Sequence, residues 1–377
     1  MRVLSALAVA AAAATALGAA APAGATVSSA PGAARQPVAV SASWPSAERG
    51  IALSYPTLST GARPSLFMTG NGGRSWHKLP APPVGWPADN DMPDATWAAG
   101  VIAVTNGTSV VASHDAGRHW AKVRLAGLPT ARTLFVGHIA IAHGRMFTVV
   151  TTVPADTSAG TSTATVYSGP AAGGTMRAVS GLSVSGSTKD GQFGAYGDLT
   201  PAGGLQVSLG VNYASSHYWL SGDGVHFTKA PAPCGAGTAA LLGGAPGGKP
   251  VALCSTEPSS AGAGSNTHRV WAAPRLGGRF AAAGPSVSWY NQQAFAAVTD
   301  RDMAMAGAPS LDVTANAGHT WSTRLLKPNG AFWSDLAFPS GSTGAVVGVT
   351  VNSSLKAVGA VYRTVDGGHT WHALTLP

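Results

Sequence analysis

Apolar residues recur along this chain in short runs that are bounded by Gly, Pro, Asn, Asp and Ser. Runs of this kind, whether continuous or alternating with polar residues, predict β-strands. No segment places apolar residues at the spacing of an amphipathic helix, so the chain is predicted to be all-β. The first and last stretches show the pattern most clearly, with predicted strands over Val38–Trp44, Gly50–Tyr55, Ser65–Thr69, Ser75–Leu79, Trp333–Phe338, Gly344–Val351, Ala357–Arg363 and Thr370–Leu376.

A second pattern recurs within these units: Ser or Thr, any residue, Asp or Asn, a Gly-containing turn, and then an aromatic residue. Five copies are clear, namely Thr69–Trp76, Ser113–Trp120, Ser221–Phe227, Thr314–Trp321 and Thr364–Trp371. Two degenerate copies, over 168–176 and 271–280, keep paired glycines. The closing positions are on average about 49 residues apart, a length that suits a four-stranded antiparallel blade. The repeat therefore predicts a seven-bladed β-propeller over residues 38–377.

The chemistry of this pattern explains why it belongs on a hairpin. An Asp or Asn side-chain oxygen accepts hydrogen bonds from backbone N–H groups just ahead of it, which closes a tight turn. Gly supplies the positive φ that the turn needs, and the aromatic ring packs back against the hairpin. We therefore predict structural roles for Asn71, Trp76, Asp115, Trp120, Asp223, Phe227, Asn316, Trp321, Asp366 and Trp371.

These segments resemble the Asp-box, or BNR, repeat of sialidases and several other propeller families. In architecture the chain is most similar to single seven-bladed propellers of the photosystem II assembly-factor type, which bind protein rather than catalyse a reaction. Sialidases match less well, because they have six blades, an early Arg-Ile-Pro motif that is absent here, and a Tyr paired with a Glu. The chain has only two Glu, Glu48 and Glu257, and neither follows or precedes a Tyr.

The resemblance implies that the box hairpins lie on one face and that ligands bind on the opposite face, around the channel mouth. Connections between blades reach that face, and the long predicted ones are Pro80–Asp94, Ala178–Phe193, Ala281–Gln293 and Lys327–Ser334. In the first, Trp86 lies near Asp89, Asp91 and Asp94, which suits either a sugar subsite or a cation site. The alternative is a solvated loop with one buried Trp.

Tyr290, Asn291 and Trp333 occupy comparable positions at the start of the last two blades. Together with Trp86 they are the candidate binding residues, although packing of these aromatics between inner strands is an equal alternative. The preferred hypothesis is a non-enzymatic binding or scaffold propeller that recognises a glycan or a protein on this face. The alternative is a glycoside hydrolase, sialidase-like or otherwise exo-acting, with Asp91, Asp94 and Asp335 as candidate catalytic acids.

Other site classes are not predicted. No spacing of His, Cys and Asp is typical of a metal site, and no phosphate-binding loop precedes a helix, so neither a metal nor a cofactor is expected. The net charge is +8, with few charged residues and no basic cluster of the kind that binds nucleic acid. We expect a monomer whose partner is a glycan or an extracellular protein, with no nucleic-acid binding and no membrane insertion.

The N-terminus predicts export. A short positive start at Met1-Arg2, an apolar stretch over 3–21 and the small residues Ala23-Gly24-Ala25 form a signal peptide over 1–25, cleaved near Ala25. Residues 26–37 form a predicted flexible leader. Cys234 and Cys254 flank a predicted hairpin and suit one disulfide on facing strands, with two free thiols as the alternative. The mature protein is expected to be secreted and extracellular.

Overall fold

A computed structural model describes the chain from residue 37 onward with internal gaps. The described residues are 37–87, 92–128, 132–154, 160–188, 194–201, 204–211, 214–234, 240–244, 249–255, 265–290, 292–307, 309–326, 332–351 and 357–377. The predicted signal peptide and nearly all of the leader lie outside these residues. The described residues contain β-strands and no helix, so the all-β prediction is confirmed for this part of the chain.

The strands are numbered in chain order, and those of the N-terminal half form sets of four in which consecutive strands pair antiparallel. The first two sets are β1 (Val38–Ser43), β2 (Gly50–Tyr55), β3 (Ser65–Thr69), β4 (His77–Leu79), then β5 (Asp94–Ala98), β6 (Val101–Thr105), β7 (Val110–Ser113), β8 (Ala121–Leu125). The next two are β9 (Arg132–Ala142), β10 (Arg145–Pro154), β11 (Thr161–Pro170), β12 (Thr175–Ser187), then β13 (Ala195–Thr200), β14 (Leu205–Val211), β15 (Ala214–Ser221), β16 (Thr228–Ala230).

The C-terminal half continues in the same way, with one additional strand. The set after β16 is β17 (Ala240–Gly244), β18 (Pro250–Ser255), β19 (Ser265–Ala272) and β20 (Ala281–Ala282), and β21 (Val287–Tyr290) also pairs with β19. The last two sets are β22 (Gln292–Ala297), β23 (Met303–Gly307), β24 (Ser310–Thr314), β25 (Ser322–Leu326), then β26 (Phe332–Ala337), β27 (Gly344–Val351), β28 (Ala357–Thr364), β29 (His372–Leu374).

Two of the sets share one eight-stranded sheet, because their outer strands meet. β8 and β12 pair in parallel over two residues, with Thr175 opposite Arg124 and Met176 opposite Leu125. The other described sets are separate sheets. The pairing covers two strand edges that would otherwise be open.

The first strands of the sets form a closed circle of contacts. Each touches the first strand of the next set, in the order β1, β5, β9, β13, β17, β22 and β26, and β26 returns to β1. We call these strands the inner ring. The apolar core lies between neighbouring sheets, so that one cluster combines Ile51, Trp97 and Val347 from three different sets. Burial on both faces explains why the strands are continuous apolar runs rather than strict alternations.

Within the described residues, the circle closes by packing between the first and last sets, without an exchanged strand. Arg363 donates a hydrogen bond to the carbonyl oxygen of Ala47 at 2.7 Å, and its guanidinium lies 5.5 Å from the ring centre of Trp44. At Gly359, a side-chain Cβ would collide with the backbone oxygen of Ala39. The close approach of β28 to β1 therefore requires Gly at this position.

The turns that carry the repeated motif share one hydrogen-bond pattern. In the second set, the Ser113 hydroxyl donates to Asp115 Oδ1 at 2.9 Å and accepts the N–H of Gly117 at 2.8 Å. The turns led by Thr69, Ser221, Thr314 and Thr364 make equivalent bonds. Because Asn71 and Asn316 accept these bonds through the amide oxygen, they close the turn as Asp does.

Two predicted connections are wrong. Ala281–Gln293 contains β20, β21 and the start of β22. Most of Ala178–Phe193 is strand, since β12 continues to Ser187 and pairs with β11. Its Ser- and Gly-rich sequence alternates with Leu182 and Val184, which are buried, and its hydroxyls bond those of β11: Ser185 to Thr163 at 3.0 Å and Ser183 to Thr165 at 2.9 Å. A half-exposed strand rich in Ser and Gly has the composition of a loop, so the sequence predicts a loop here.

The two cysteines form a disulfide and neither is free. Their Cα atoms are 5.6 Å apart. The prediction of facing strands is wrong in one respect, because Cys254 lies on β18 while Cys234 lies in the connection that follows β16. The bond therefore ties a connection to the second strand of the next set. The described residues also include no helix with the length and apolarity needed to cross a membrane.

Candidate functional site

Side-chain oxygens on the inner ring bind backbone N–H groups of the neighbouring set. Asp335 on β26 accepts the N–H of Ala42 on β1 at 2.9 Å, and Ser41 on β1 accepts the N–H of Ala95 on β5 at 2.9 Å. Asp94 on β5 accepts the N–H of Ile139 on β9 at 3.4 Å. These bonds hold four adjacent inner strands together. They bring Asp335 and Asp94 into one group with His138, which precedes Ile139.

Asp94 is the buried centre of this group. Its side chain is 2% exposed, and besides Ile139 it accepts the Ser41 hydroxyl at 3.1 Å on one oxygen and His138 Nδ1 at 2.7 Å on the other. Three donors on a buried carboxylate satisfy most of its acceptor sites. Asp94 is therefore placed to hold its neighbours rather than to contact a ligand.

His138 and Asp335 are more accessible than Asp94. The His138 side chain is 40% exposed, and Asp335 is half-buried. Because Nδ1 of His138 is bonded to Asp94, the opposite ring nitrogen, Nε2, is the atom through which the imidazole can exchange a proton with a ligand. Asp335 has one oxygen bonded to Ala42 and, at 3.4 Å, to the hydroxyl of Ser334.

The backbone is irregular where these residues lie. In β26, Asp335 and Leu336 lie opposite one residue of β27, and Asp335 has a φ of 54°, which is unfavourable for a residue other than Gly. In β9, Gly137 and His138 together occupy a similar bulge against β10. β1 contains another, just before Ser41. Bulges redirect side chains out of the regular alternation and are frequent next to functional sites.

The three groups could in principle hold a cation. Asp94, His138 and Asp335 each offer one ligand atom, and these atoms lie within 4.8 Å of one another. The contact between Asp94 and His138 also has the length of an ordinary hydrogen bond, 2.7 Å. The same arrangement therefore also suits proton exchange and hydrogen bonding to a ligand.

A carboxylate elsewhere on the inner ring makes the same kind of bridge. Asp198 on β13 accepts the N–H of Leu242 on β17 at 3.3 Å and that of Leu199 at 2.9 Å. Bridging by a carboxylate is thus a recurrent way of joining sets. The neighbouring His and the bulges distinguish the group at Asp94 from this bridge.

The sequence-predicted site residues have different locations. Two of the three candidate acids, Asp94 and Asp335, meet in this group, although they are far apart in sequence. Asp91 lies outside the described residues, as does Asn291, and the side chain of Tyr290 is not among those described. Asp94 opens strand β5 rather than ending a loop.

The two candidate tryptophans are core residues. Trp86 is 5% exposed and packs edge-on against Tyr55, with ring centres 5.1 Å apart, and Trp333 is 2% exposed beside Tyr362. Burial also raises the pKa of the Tyr55 hydroxyl. Both rings therefore pack in the core, as in the alternative to ligand binding. The group formed by Asp94, His138 and Asp335 does not include them.

His138 is the residue that sequence reasoning missed. The signal was present, because His138 interrupts an otherwise apolar run, Phe135 to Ala142. An ionisable residue within such a run requires a partner when the strand is buried. Its partner, Asp94, lies 44 residues away on another set, so the sequence alone could not identify it.

No protein-family model matches the chain, and no curated protein matches it. Solved structures do match. An ulvan lyase aligns over 91% of this chain and 95% of its own, with 11% identity and a TM-score of 0.53. Pyrococcus horikoshii acylaminoacyl peptidase aligns over 91% of this chain with 10% identity and a TM-score of 0.51, and the match spans 53% of that protein, about half its length.

A third match is Penicillium chrysogenum α-L-arabinanase complexed with arabinobiose. It covers 89% of this chain and 99% of the arabinanase, with 8% identity and a TM-score of 0.44. At these identities the similarity concerns the fold alone. Together with the four-stranded antiparallel sheets and their closed inner ring, it shows that the chain has a β-propeller fold.

Proposed function

We propose that this chain is an exported seven-bladed β-propeller with Asp-box repeats, which binds a neutral glycan through Asp335 and His138 at its inner ring. The blade number is supported by the two complete sets within the eight-stranded sheet. The box assignment is supported by the five turns with equivalent Ser or Thr and Asp or Asn bonds. The predicted signal peptide and the disulfide support export into an oxidising compartment.

The observation that carries the glycan proposal is the group formed by Asp94, His138 and Asp335. Its two accessible side chains are held by a buried carboxylate and by strand backbone, which is how a preorganised binding site is built. A carboxylate and an imidazole together accept and donate hydrogen bonds, as sugar hydroxyls require. Two nearby carboxylates disfavour a uronate or sulfated polymer, so the ligand is a neutral glycan.

A carbohydrate ligand is also consistent with the fold. A polysaccharide lyase is among the structures that this chain resembles above a TM-score of 0.5. This support is an analogy at the level of the fold, which hosts many functions.

A glycan array probed with the purified mature protein tests this proposal, followed by calorimetry with a neutral oligosaccharide from the array. We expect Asp335→Asn and His138→Ala to weaken binding at least about tenfold, as for a lost charged hydrogen bond. The matched controls are Asp198→Asn, on the same ring, and His119→Ala, in a turn, which should bind as the wild type does. Binding that is absent from the array, or equal in all four variants, would rule out this site.

A second candidate function is glycoside hydrolysis, and the proximity of Asp94 and Asp335 favours it. Retaining glycosidases place their two carboxyl groups about 5–5.5 Å apart. Asp94, however, is buried and occupied by three donors, so a hydrolase built here cannot use the pair as its acid and nucleophile. A panel of nitrophenyl glycosides, assayed beside the array, distinguishes binding alone from cleavage.

A further inference from the structure

The contact between His138 and Asp94 has the features of an acid–base dyad. The carboxylate is buried and bonded to Ser41 and Ile139, and it accepts Nδ1 of an imidazole that is 40% exposed on its other side. In catalytic triads, a buried carboxylate in this position fixes the tautomer and orientation of the imidazole and stabilises its positive charge. Nε2 can then give a proton to a ligand and take one back.

Asp335 supplies the second group that cleavage of a glycosidic bond requires. A backbone N–H from Ala42 donates to one of its oxygens at 2.9 Å and holds the side chain in place. Its positive φ of 54° fixes it at a bulge beside β1. One of its oxygens lies within 4.8 Å of a ring nitrogen of His138, which makes the two side chains neighbours in one group.

We infer that the site is a retaining glycosidase centre in which His138, oriented by Asp94, is the acid and base and Asp335 is the nucleophile. The inference rests on the proposed glycan site and names its chemistry. In the first step, Asp335 bonds to the anomeric carbon while the bond from that carbon to the leaving oxygen breaks. The leaving oxygen takes the proton of His138 Nε2, and the aglycone departs as an alcohol.

In the second step water completes the cycle. Its oxygen bonds to the anomeric carbon, the bond to Asp335 breaks, and the water proton returns to His138 Nε2. The sum is one glycosidic bond and one water consumed, with two hydroxyl products and no change of oxidation state. Two displacements at the same carbon preserve its configuration.

Kinetics on aryl glycosides of neutral sugars test this assignment. His138→Ala should lower kcat/KM for a nitrophenyl glycoside by about 10²–10⁴-fold, the usual contribution of a general acid. A dinitrophenyl leaving group needs no protonation, so bond cleavage with that substrate should be nearly unaffected. Azide, which attacks without a general base, should restore turnover of the variant and give a glycosyl azide.

Two further variants separate the roles of the carboxylates. Asp335→Asn should abolish turnover with every leaving group, because it removes the nucleophile. Asp94→Asn should leave activity at low pH and move the alkaline loss of activity to lower pH, because the imidazolium loses its charged partner. His119→Ala, a histidine paired with Asp115 in an exposed turn, is the control and should match the wild type.

Inversion of configuration at the anomeric carbon overturns the inference. So does an equal loss of kcat/KM for both leaving groups in His138→Ala. A wild-type protein that binds a glycan on the array but cleaves no glycoside of the same sugar overturns it as well. That last result leaves the proposed glycan binding intact, whereas an empty array refutes both. Calorimetry with zinc chloride provides another decisive outcome. Micromolar binding of zinc that His138→Ala abolishes would make the group a metal site and overturn the dyad.

Discussion

The described chain contains Asp–His pairs in two different regions, the turns and the inner ring. In the turns, His119 bonds Asp115 at 2.5 Å and His226 bonds Asp223 at 2.6 Å, and the two imidazoles are 90% and 86% exposed. On the inner ring, His138 bonds Asp94 at 2.7 Å, and that carboxylate is 2% exposed. The pairs are alike in length, so their surroundings decide what each can do.

In the turns the carboxylate bonds both the backbone and the exposed imidazole. A backbone hydrogen bond from His119 is the largest cause that lowers the pKa of Asp115, and the side-chain bond from His226 is the largest for Asp223. Solvent screens such exposed pairs, so the imidazoles contribute little stability. On the inner ring the Asp94 carboxylate bonds Ser41 and Ile139 of the two neighbouring sets and holds an imidazole, and its burial keeps solvent from screening these contacts. Burial, rather than pairing, therefore marks the candidate site.

The largest effect is expected when the inner-ring carboxylate is removed. Asp94→Ala leaves the Ser41 hydroxyl and the Ile139 N–H without their acceptor in a buried place. Each unsatisfied buried donor costs about 1–3 kcal/mol, so we expect a loss of about 3 kcal/mol in the free energy of unfolding. Urea unfolding followed by tryptophan fluorescence measures it.

Asp198→Ala is the matched control for that change. It removes a bridge of the same kind from a half-buried carboxylate, and we expect a loss of about 1 kcal/mol. If the two variants unfold at the same urea concentration, burial does not distinguish the two bridges and the comparison between regions fails.

A smaller effect is expected at the buried hydroxyl of a turn. Ser113 is 1% exposed, and its oxygen accepts the buried N–H of Gly117. Ser113→Ala should cost about 1–3 kcal/mol by leaving that donor unsatisfied. Ser75→Ala, which removes an exposed hydroxyl bonded to Asn71, should cost less than about 0.5 kcal/mol. Thermal unfolding of both variants makes the comparison, and equal midpoints would contradict it.

The turns were predictable from sequence because their determinants are local. Ser113, Asp115 and Gly117 lie within five residues and make the predicted bonds among themselves. Strand bounds follow the same rule: the predicted strand Gly344–Val351 is β27, while the predicted Thr370–Leu376 shortens to β29. Local apolar runs ended by turn residues therefore fix these elements to within a few residues.

The candidate site was only partly predictable because its determinants are distant. The sequence suggests Asp94 and Asp335 as acids near the channel mouth, but nothing in it joins them to each other or to His138. The three residues come together through contacts of β26 with β1, of β1 with β5 and of β5 with β9. Their positions also depend on bulges, which a strand pattern does not show. Trp86 stood out in the sequence as an aromatic, and burial is the commoner fate of such a ring.

A pH-dependent effect is expected where a turn carries Asp rather than Asn. Burial alone would raise the pKa of the Asp366 carboxyl. Hydrogen bonds from Thr370 and Thr364 outweigh this effect, so the pKa falls from 3.8 to about 2. A lowered pKa contributes stability that is complete above pH 3.8 and is lost as the pH falls towards 2. Asp366→Asn should keep the turn, because Asn316 donates to Thr320 and accepts its N–H at the equivalent place.

The stability of Asp366→Asn relative to the wild type should therefore change little at neutral pH and rise as the pH falls from about 4 to 2. Thermal midpoints at several pH values measure this difference. A difference that is independent of pH over that range would show that the carboxylate contributes nothing as an ion.

The smallest effect is expected when the imidazole of a turn pair is removed. His119→Ala deletes a side chain that is 90% exposed, and the backbone N–H of residue 119 still bonds Asp115 at 2.9 Å. The thermal midpoint and the affinity for the array glycan should both equal those of the wild type. His138→Ala should lower the midpoint, because it removes a donor from the buried Asp94 carboxylate, and it should also lose glycan affinity. An equal affinity in the two variants would mean that the inner-ring pair, like the turn pair, only stabilises backbone.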